Sequence, residues 1–202
     1  MGEYRVLVLT LGYCGLRWGE IAGLRVHSVD LDRGRLNITD AMAEVNGQVL
    51  FGTPKSHQAR WLPAPAFPLD ELRLHVAGKR PDDLVFASPQ GAVLRVATFR
   101  RGYFDGAAKQ IGVPGLVPHE LRHTAASLAI SAGASVKSVQ RMLGHASAML
   151  TLDRYGHLFP RRARRGCGGL DEAVRRAGVY RTGTDPALTL FEADEPPGQH
   201  AV

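Results

Sequence analysis

The chain has 202 residues, 45% hydrophobic and 22% charged, which is ordinary for a globular protein and enough for one domain with a real core. The formal net charge of +6 favours a polyanionic partner. The two cysteines, Cys14 and Cys167, lie far apart and outside any C-x-x-C pair, which argues against a disulfide scaffold or a thiolate zinc site and fits a reducing cytoplasm.

The apolar run "VLVLTLGYCGL" (6–16) is too short to span a bilayer. It has little basic charge before it and no small-x-small cleavage site after it, so it reads as a core helix over 3–13. Gly15 breaks it from a short helix at "RWGEIAGL" (17–24). "RLNIT" (35–39), "EVNGQVLF" (44–51) and "ARWLPA" (59–64) are β-leaning, punctuated by "NG" and "GTPKSHQ". They predict an antiparallel sheet of about three strands. Helical spacing returns at 68–79, where Leu69, Leu72 and Val76 recur. A short extended piece (83–88) precedes a helix over 96–112. "HELRHTAASLAISAG" (119–133) is a strong helix entered at Pro118, with Gly133 at its end. Ser135 caps the next helix and Gly144 stops it. Short helical turns are expected at 147–150 and 152–158. A basic run, "PRRARRG" (160–166), leads to a last short helix at 170–178 and an acidic, Gly/Pro-rich tail from about Tyr180, expected to be disordered. The fold class is α+β, mostly helical with a small antiparallel sheet.

The stretch "HELRHT" (119–124) has two readings. His119, Glu120 and His123 form H-E-x-x-H, two imidazoles a helical turn apart around a carboxylate, as in a zinc peptidase. The metzincin extension is missing, because Ala126 and Ala129 stand where Gly and His are needed. Between 121 and 170 the only acids are Asp153 and none is Glu, so His145 or His157 would have to complete the ligand set. Arg122 would also place a permanent cation within a turn of the metal. In the second reading His119 and Arg122, three apart on one face at a helix N-terminus, bind an anion.

Five separated motifs decide how "HELRHT" is read: "GYCGLRWGEIAGLRVHSVDL" (12–31), Lys55 within "TPKSHQARWLP", "HELRHT", "LGHAS" (143–147) and "TLDRYGHL" (151–158). In that order and spacing, over roughly residues 3 to 159, the chain resembles the catalytic domain of the tyrosine recombinases, the phage integrase family. The resemblance implies catalytic roles for Arg17, Lys55, His119, Arg122, His145 and Tyr155, the last as nucleophile. Glu20 and His123 are implied as supporting residues. Trp18 and Gly156 are local variations that leave these roles intact. No metal and no cofactor is implied.

The implied function is site-specific DNA recombination through a 3′-phosphotyrosyl intermediate, in phage or prophage integration or excision. The alternatives are a non-catalytic DNA-binding remnant and the zinc peptidase. The expected partners are double-stranded attachment sites, further copies in a tetramer on DNA, and accessory DNA-bending or directionality factors, with no membrane. The expected location is a bacterial cytoplasm, at the nucleoid. Residues 1–160 are read as the catalytic domain and 161–179 as a C-terminal segment that is a candidate for exchange between protomers. Residues 180–202 are read as a tail, with the family's upstream DNA-binding domains absent. Arg161, Arg162, Arg164 and Arg165 are candidate phosphate contacts.

Overall fold

A computed structural model describes residues 4–54 and 59–159. Lys55, the basic run at 160–166 with its four arginines, the expected helix at 170–178 and the tail lie outside the described residues.

The first helix, α1 (Arg5–Cys14), buries Val6, Leu7, Leu11 and Cys14 and ends at Gly15 in the left-handed region (φ 67°). Burial pushes the Cys14 thiol up to about 12, so it behaves as a small core side chain. Helix α2 (Trp18–Ala22) follows within three residues and lies against the strand Ala41–Val45. The approach is close because Gly19 faces it, and a Cβ there would stand 2.2 Å from the Met42 carbonyl oxygen.

Strands β1 (Val29–Asp30), β2 (Arg35–Ile38) and β5 (Arg60–Pro63) form an antiparallel sheet in the order β1-β2-β5. The segment 44–51 is not one strand. Its Asn46 (φ 51°) and Gly47 (φ 78°) take the turn, dividing it between β3 (Ala41–Val45) and β4 (Gln48–Gly52) as a separate hairpin. Both central residues have positive φ, as a type I′ hairpin turn requires. In β5 the side chains alternate: Leu62 is buried and Trp61 exposed, with the Arg35 guanidinium stacked 3.9 Å from the Trp61 ring. That alternation turns Arg60 to the same face as Leu62, inward.

After α3 (Ala66–Val76), the helical stretch expected over 96–112 runs as α4 (Val96–Phe99), a π turn (Arg100–Phe104) and α5 (Asp105–Gln110). Three helices close the described part: α6 (Pro118–Ser131), α7 (Val136–Leu143) and α8 (Ala148–Tyr155). The two short turns expected over 147–158 are thus one helix and a 3-10 turn (Gly156–Leu158), because Ser147 Oγ caps α8 by accepting from Leu150 N–H at 3.3 Å. Leu7, Leu11, Leu16, Ile21, Leu36 and Phe99 belong to the main core. A second core joins Ala126, Ile130, Val139 and Leu143 to Tyr155. Among the described residues no helix is long and apolar enough to cross a membrane.

Candidate active site

The site is built on the turn between α7 and α8. Gly144 stops α7 in the left-handed region (φ 61°), and two arginines from distant elements converge on the carbonyls around it. Arg122, on α6 and only 3% exposed, donates to the carbonyls of Gly15 and Leu143. Arg17 Nη2 donates to the Gly144 carbonyl at 3.3 Å. Both guanidiniums are therefore held by main-chain oxygens, which fixes their direction. Burial lowers the Arg122 pKa to about 10, with the Arg17 charge adding to the effect, and the group is still a cation at neutral pH.

Glu20 anchors Arg17 a second time. Its Oε1 accepts from Arg17 Nη1 at 2.9 Å and its Oε2 from the Arg17 backbone N–H at 3.0 Å. Its other partner was not foreseen in the sequence: Arg60 of β5 bonds both oxygens, Nη1 to Oε1 at 3.0 Å and Nη2 to Oε2 at 2.8 Å. The Arg60 guanidinium lies against Gly144, where a Cβ would meet its Cζ at 2.8 Å. Burial alone would raise the Glu20 carboxyl, which is 1% exposed, but the bonds and charges of Arg60 and Arg17 hold it below the usual carboxylate range. The only sequence sign of Arg60 was its place on the inward face of a strand; nothing local names its carboxylate. Two guanidiniums thus bond one carboxylate and a third, Arg122, feels its charge, an excess of positive charge that suits a bound anion.

The second half of the site lies on α6 and α8. Glu120 accepts from the Val117 N–H at 2.7 Å, so it caps the entry to α6 as Glu20 does for α2. The rings of His119 and His123 stand edge to face with centroids 5.2 Å apart. Tyr155, 4% exposed, points its hydroxyl at His123 Nδ1, 2.7 Å away. The side chain bonded to Tyr155 is His123, and His119 stands one ring further out in an exposed position. Burial raises the Tyr155 pKa against the opposing pull of Arg122 and Arg154. With Glu120 spent on the cap and His123 on Tyr155, the donors of the H-E-x-x-H reading are otherwise engaged. Among the described residues no three His, Cys, Asp or Glu side chains group as a metal site would need.

His145 follows Gly144 directly. Its Nδ1 lies 3.0 Å from Thr151 Oγ1, and Thr151 is fully buried. A hydroxyl donating to Nδ1 leaves Nε2–H free as a neutral donor. Burial, followed by the charges of Arg122 and Arg17, pushes the His145 pKa down to about 4. His123, which is half-buried, shifts the same way, chiefly by burial. Such groups bind fewer protons folded than unfolded, so stability falls as pH drops from the unfolded value of 6.5 towards 4. Glu20 adds its loss at lower pH, when acid falls through its depressed folded value. Thermal melts between pH 7 and 4 are expected to show a steady decline in midpoint, and His145→Gln to flatten its upper part. A midpoint independent of pH in that window would contradict the assignment of a neutral His145.

The structure therefore brings Arg17, Glu20, His119, Arg122, His123, His145 and Tyr155 together, adds Arg60, and leaves Lys55 outside the described residues. Residues 3–162 match the phage integrase family. An integrase of Mycobacterium phage FRAT1 is 31% identical over 158 residues, which cover 74% of this chain and 47% of that one. The tyrosine recombinase XerC of Corynebacterium glutamicum is 33% identical over 158 residues, 77% of this chain and 47% of that one. The chain thus spans about half the length of the curated relatives it matches. Among solved structures, the Tn1549 transposon integrase in complex with transposon right-end DNA superposes with a TM-score of 0.68 at 16% identity, covering 86% of this chain and 59% of that one. The catalytic domain of bacteriophage HP1 integrase gives 0.54 at 22% identity, covering 84% and 79%.

Proposed function

The chain belongs to the phage integrase family, and from that membership we propose that it is a DNA strand transferase acting in site-specific recombination. The observation that carries this reading is the Tyr155 phenol, held by His123 and within the field of Arg122, whose guanidinium, like that of Arg17, is aimed by main-chain carbonyls.

In the proposed reaction, Tyr155 Oη attacks the scissile phosphorus. An ester bond forms between tyrosine and the 3′-phosphate, and the 5′-oxygen leaves with a proton. A 5′-hydroxyl from the partner strand then attacks the phosphotyrosine and restores the diester, so bond energy is conserved and no nucleotide cofactor is consumed. Arg17 and Arg122 clamp the non-bridging oxygens, and His145 adds a neutral donor. Glu20 is the brace of Arg17. Lys55 is assigned, from its place in the sequence, as the acid that protonates the leaving oxygen. The Tn1549 integrase, solved in complex with transposon right end DNA, supplies the analogy for a double-stranded DNA attachment site as substrate. Assembly as a tetramer on DNA, action with accessory factors at a bacterial nucleoid and phosphate contact by Arg161, Arg162, Arg164 and Arg165 belong to the same proposal.

The bond from Tyr155 to His123 makes His123 Nδ1 the nearest acceptor for the nucleophile's proton, with His119 as a second ring behind it. Replacing His123 with Ala is expected to slow covalent adduct formation by about a hundredfold or more, and to shift its pH profile, while His119→Ala has the smaller effect. Single-turnover rates measure both; an unslowed His123→Ala beside a slow His119→Ala would hand the role to His119.

The function is tested with a pool of nicked DNA duplexes, randomised around the nick, in EDTA. A protein–DNA adduct that survives denaturation is the expected product. An adduct that needs a metal, or none from the whole pool, would overturn the reading.

A further inference from the structure

Next to the arginine site, β5 and α7 enclose a pocket of about 400 Å³. Arg60, Trp61, Lys137, Gln140, Arg141 and His145 line it, and among the described residues no acidic side chain stands in its walls. Two polar atoms of these residues, Arg60 Nε and Gln140 Oε1, are buried with no hydrogen-bond partner among the described residues. Gln140 is only 9% exposed, and its Nε2 donates to the His145 carbonyl at 3.1 Å, which fixes where Oε1 points. These atoms are closed off from a ligand, so what the pocket offers is the charge of its exposed cations, which suits an anion. Lys137 and Arg141 are exposed, lie one turn apart on the same face of α7, and have no ion-pair partner among the described residues.

We infer that this pocket is a second nucleotide subsite, which holds the phosphodiester contiguous with the one gripped by Arg17 and Arg122. The inference rests on the DNA reading above. Contiguity follows from shared walls: Gly144 and His145 line the pocket and also form the turn on which the arginine site is built. A nucleotide matches the chemistry of the walls. Its phosphate oxygens take the cations of Lys137 and Arg141.

The test is the salt dependence of binding to a 30-bp duplex, read by fluorescence anisotropy. Each lost phosphate contact lowers the slope of log K against log salt by about 0.9, so Lys137→Ala with Arg141→Ala is expected to lower it by about two. The matched pair Arg73→Ala with Lys109→Ala, exposed cations outside the pocket, is expected to leave it unchanged. An unchanged slope in the first pair, or an equal drop in the second, overturns the subsite. Its place beside the scissile phosphate is read on a nicked duplex recovered from the pool, with a neutral methylphosphonate next to the nick. That substitution should weaken binding by the wild type and have little further effect on the double variant; additive losses overturn the placement. If the wild type forms no adduct but the slope drops selectively, strand transfer fails and the subsite stands. If adducts form and the slope is unmoved, the subsite alone fails.

Discussion

Tyr155→Phe is expected to abolish the covalent DNA adduct altogether while leaving a folded protein that still binds duplex. The substitution removes one atom, the attacking oxygen, and leaves the ring in the second core with Ile130 and Leu143. The structural cost is the bond to His123 Nδ1, worth about 1 kcal/mol. For a chain of this size that corresponds to a fall in melting midpoint of roughly 2–4 °C. Denaturing gels on the nicked pool, run beside a melt and a binding isotherm, separate the outcomes. An adduct that persists in the variant would move the nucleophile elsewhere. A variant that melts far lower would mean that the hydroxyl serves mainly to hold α8 against α6.

Glu20→Ala is expected to be the most damaging change at a residue that never touches DNA. The carboxylate accepts four bonds, two from Arg60, one from the Arg17 side chain and one from the Arg17 N–H. Its loss leaves a mostly buried Arg60 cation without a counter-charge and removes the cap of α2. Breaking a buried pair from one side costs about 3–5 kcal/mol. The Arg17 guanidinium also loses one of its two anchors, so adduct formation should slow by about a hundredfold beyond the effect on folding. Glu20→Gln separates the two contributions: it keeps the cap and the shape, and removes the charge. Chemical denaturation and single-turnover adduct formation, measured on both variants at a temperature where each is folded, provide the check. A Glu20→Ala protein with wild-type stability and rate would show that Arg60 and Arg17 are held by other groups.

What could be read in the sequence was mostly local. Ser135 before an apolar repeat and Gly144 after it mark α7 at both ends, and Pro118 marks the start of α6. Each signal lies within a turn of the backbone group it serves. Arg17, Arg122, His145 and Tyr155 were assigned through the order and spacing of motifs, not through any local property. The misses have a common cause. The partners Arg60 and Glu20 are 40 residues apart, and His123 and Tyr155 are 32 apart, so neither pair leaves a mark in any short window. The division of 44–51 at Asn46–Gly47 depended on weighing a strong hairpin dipeptide over the β-leaning residues around it.

Arg122 ties together the end of α1 and the end of α7, reaching a carbonyl 107 positions away and another 21 away. A partly folded chain, with α7 not yet closed on α1, has no second arginine in place. The clamp therefore depends on a contact of high sequence separation, the kind whose loop-closure entropy slows folding. If the chain is the strand transferase proposed above, nascent or locally opened molecules would meet DNA with an incomplete clamp, and the same two carbonyls that aim the guanidinium would guard against stray nicks.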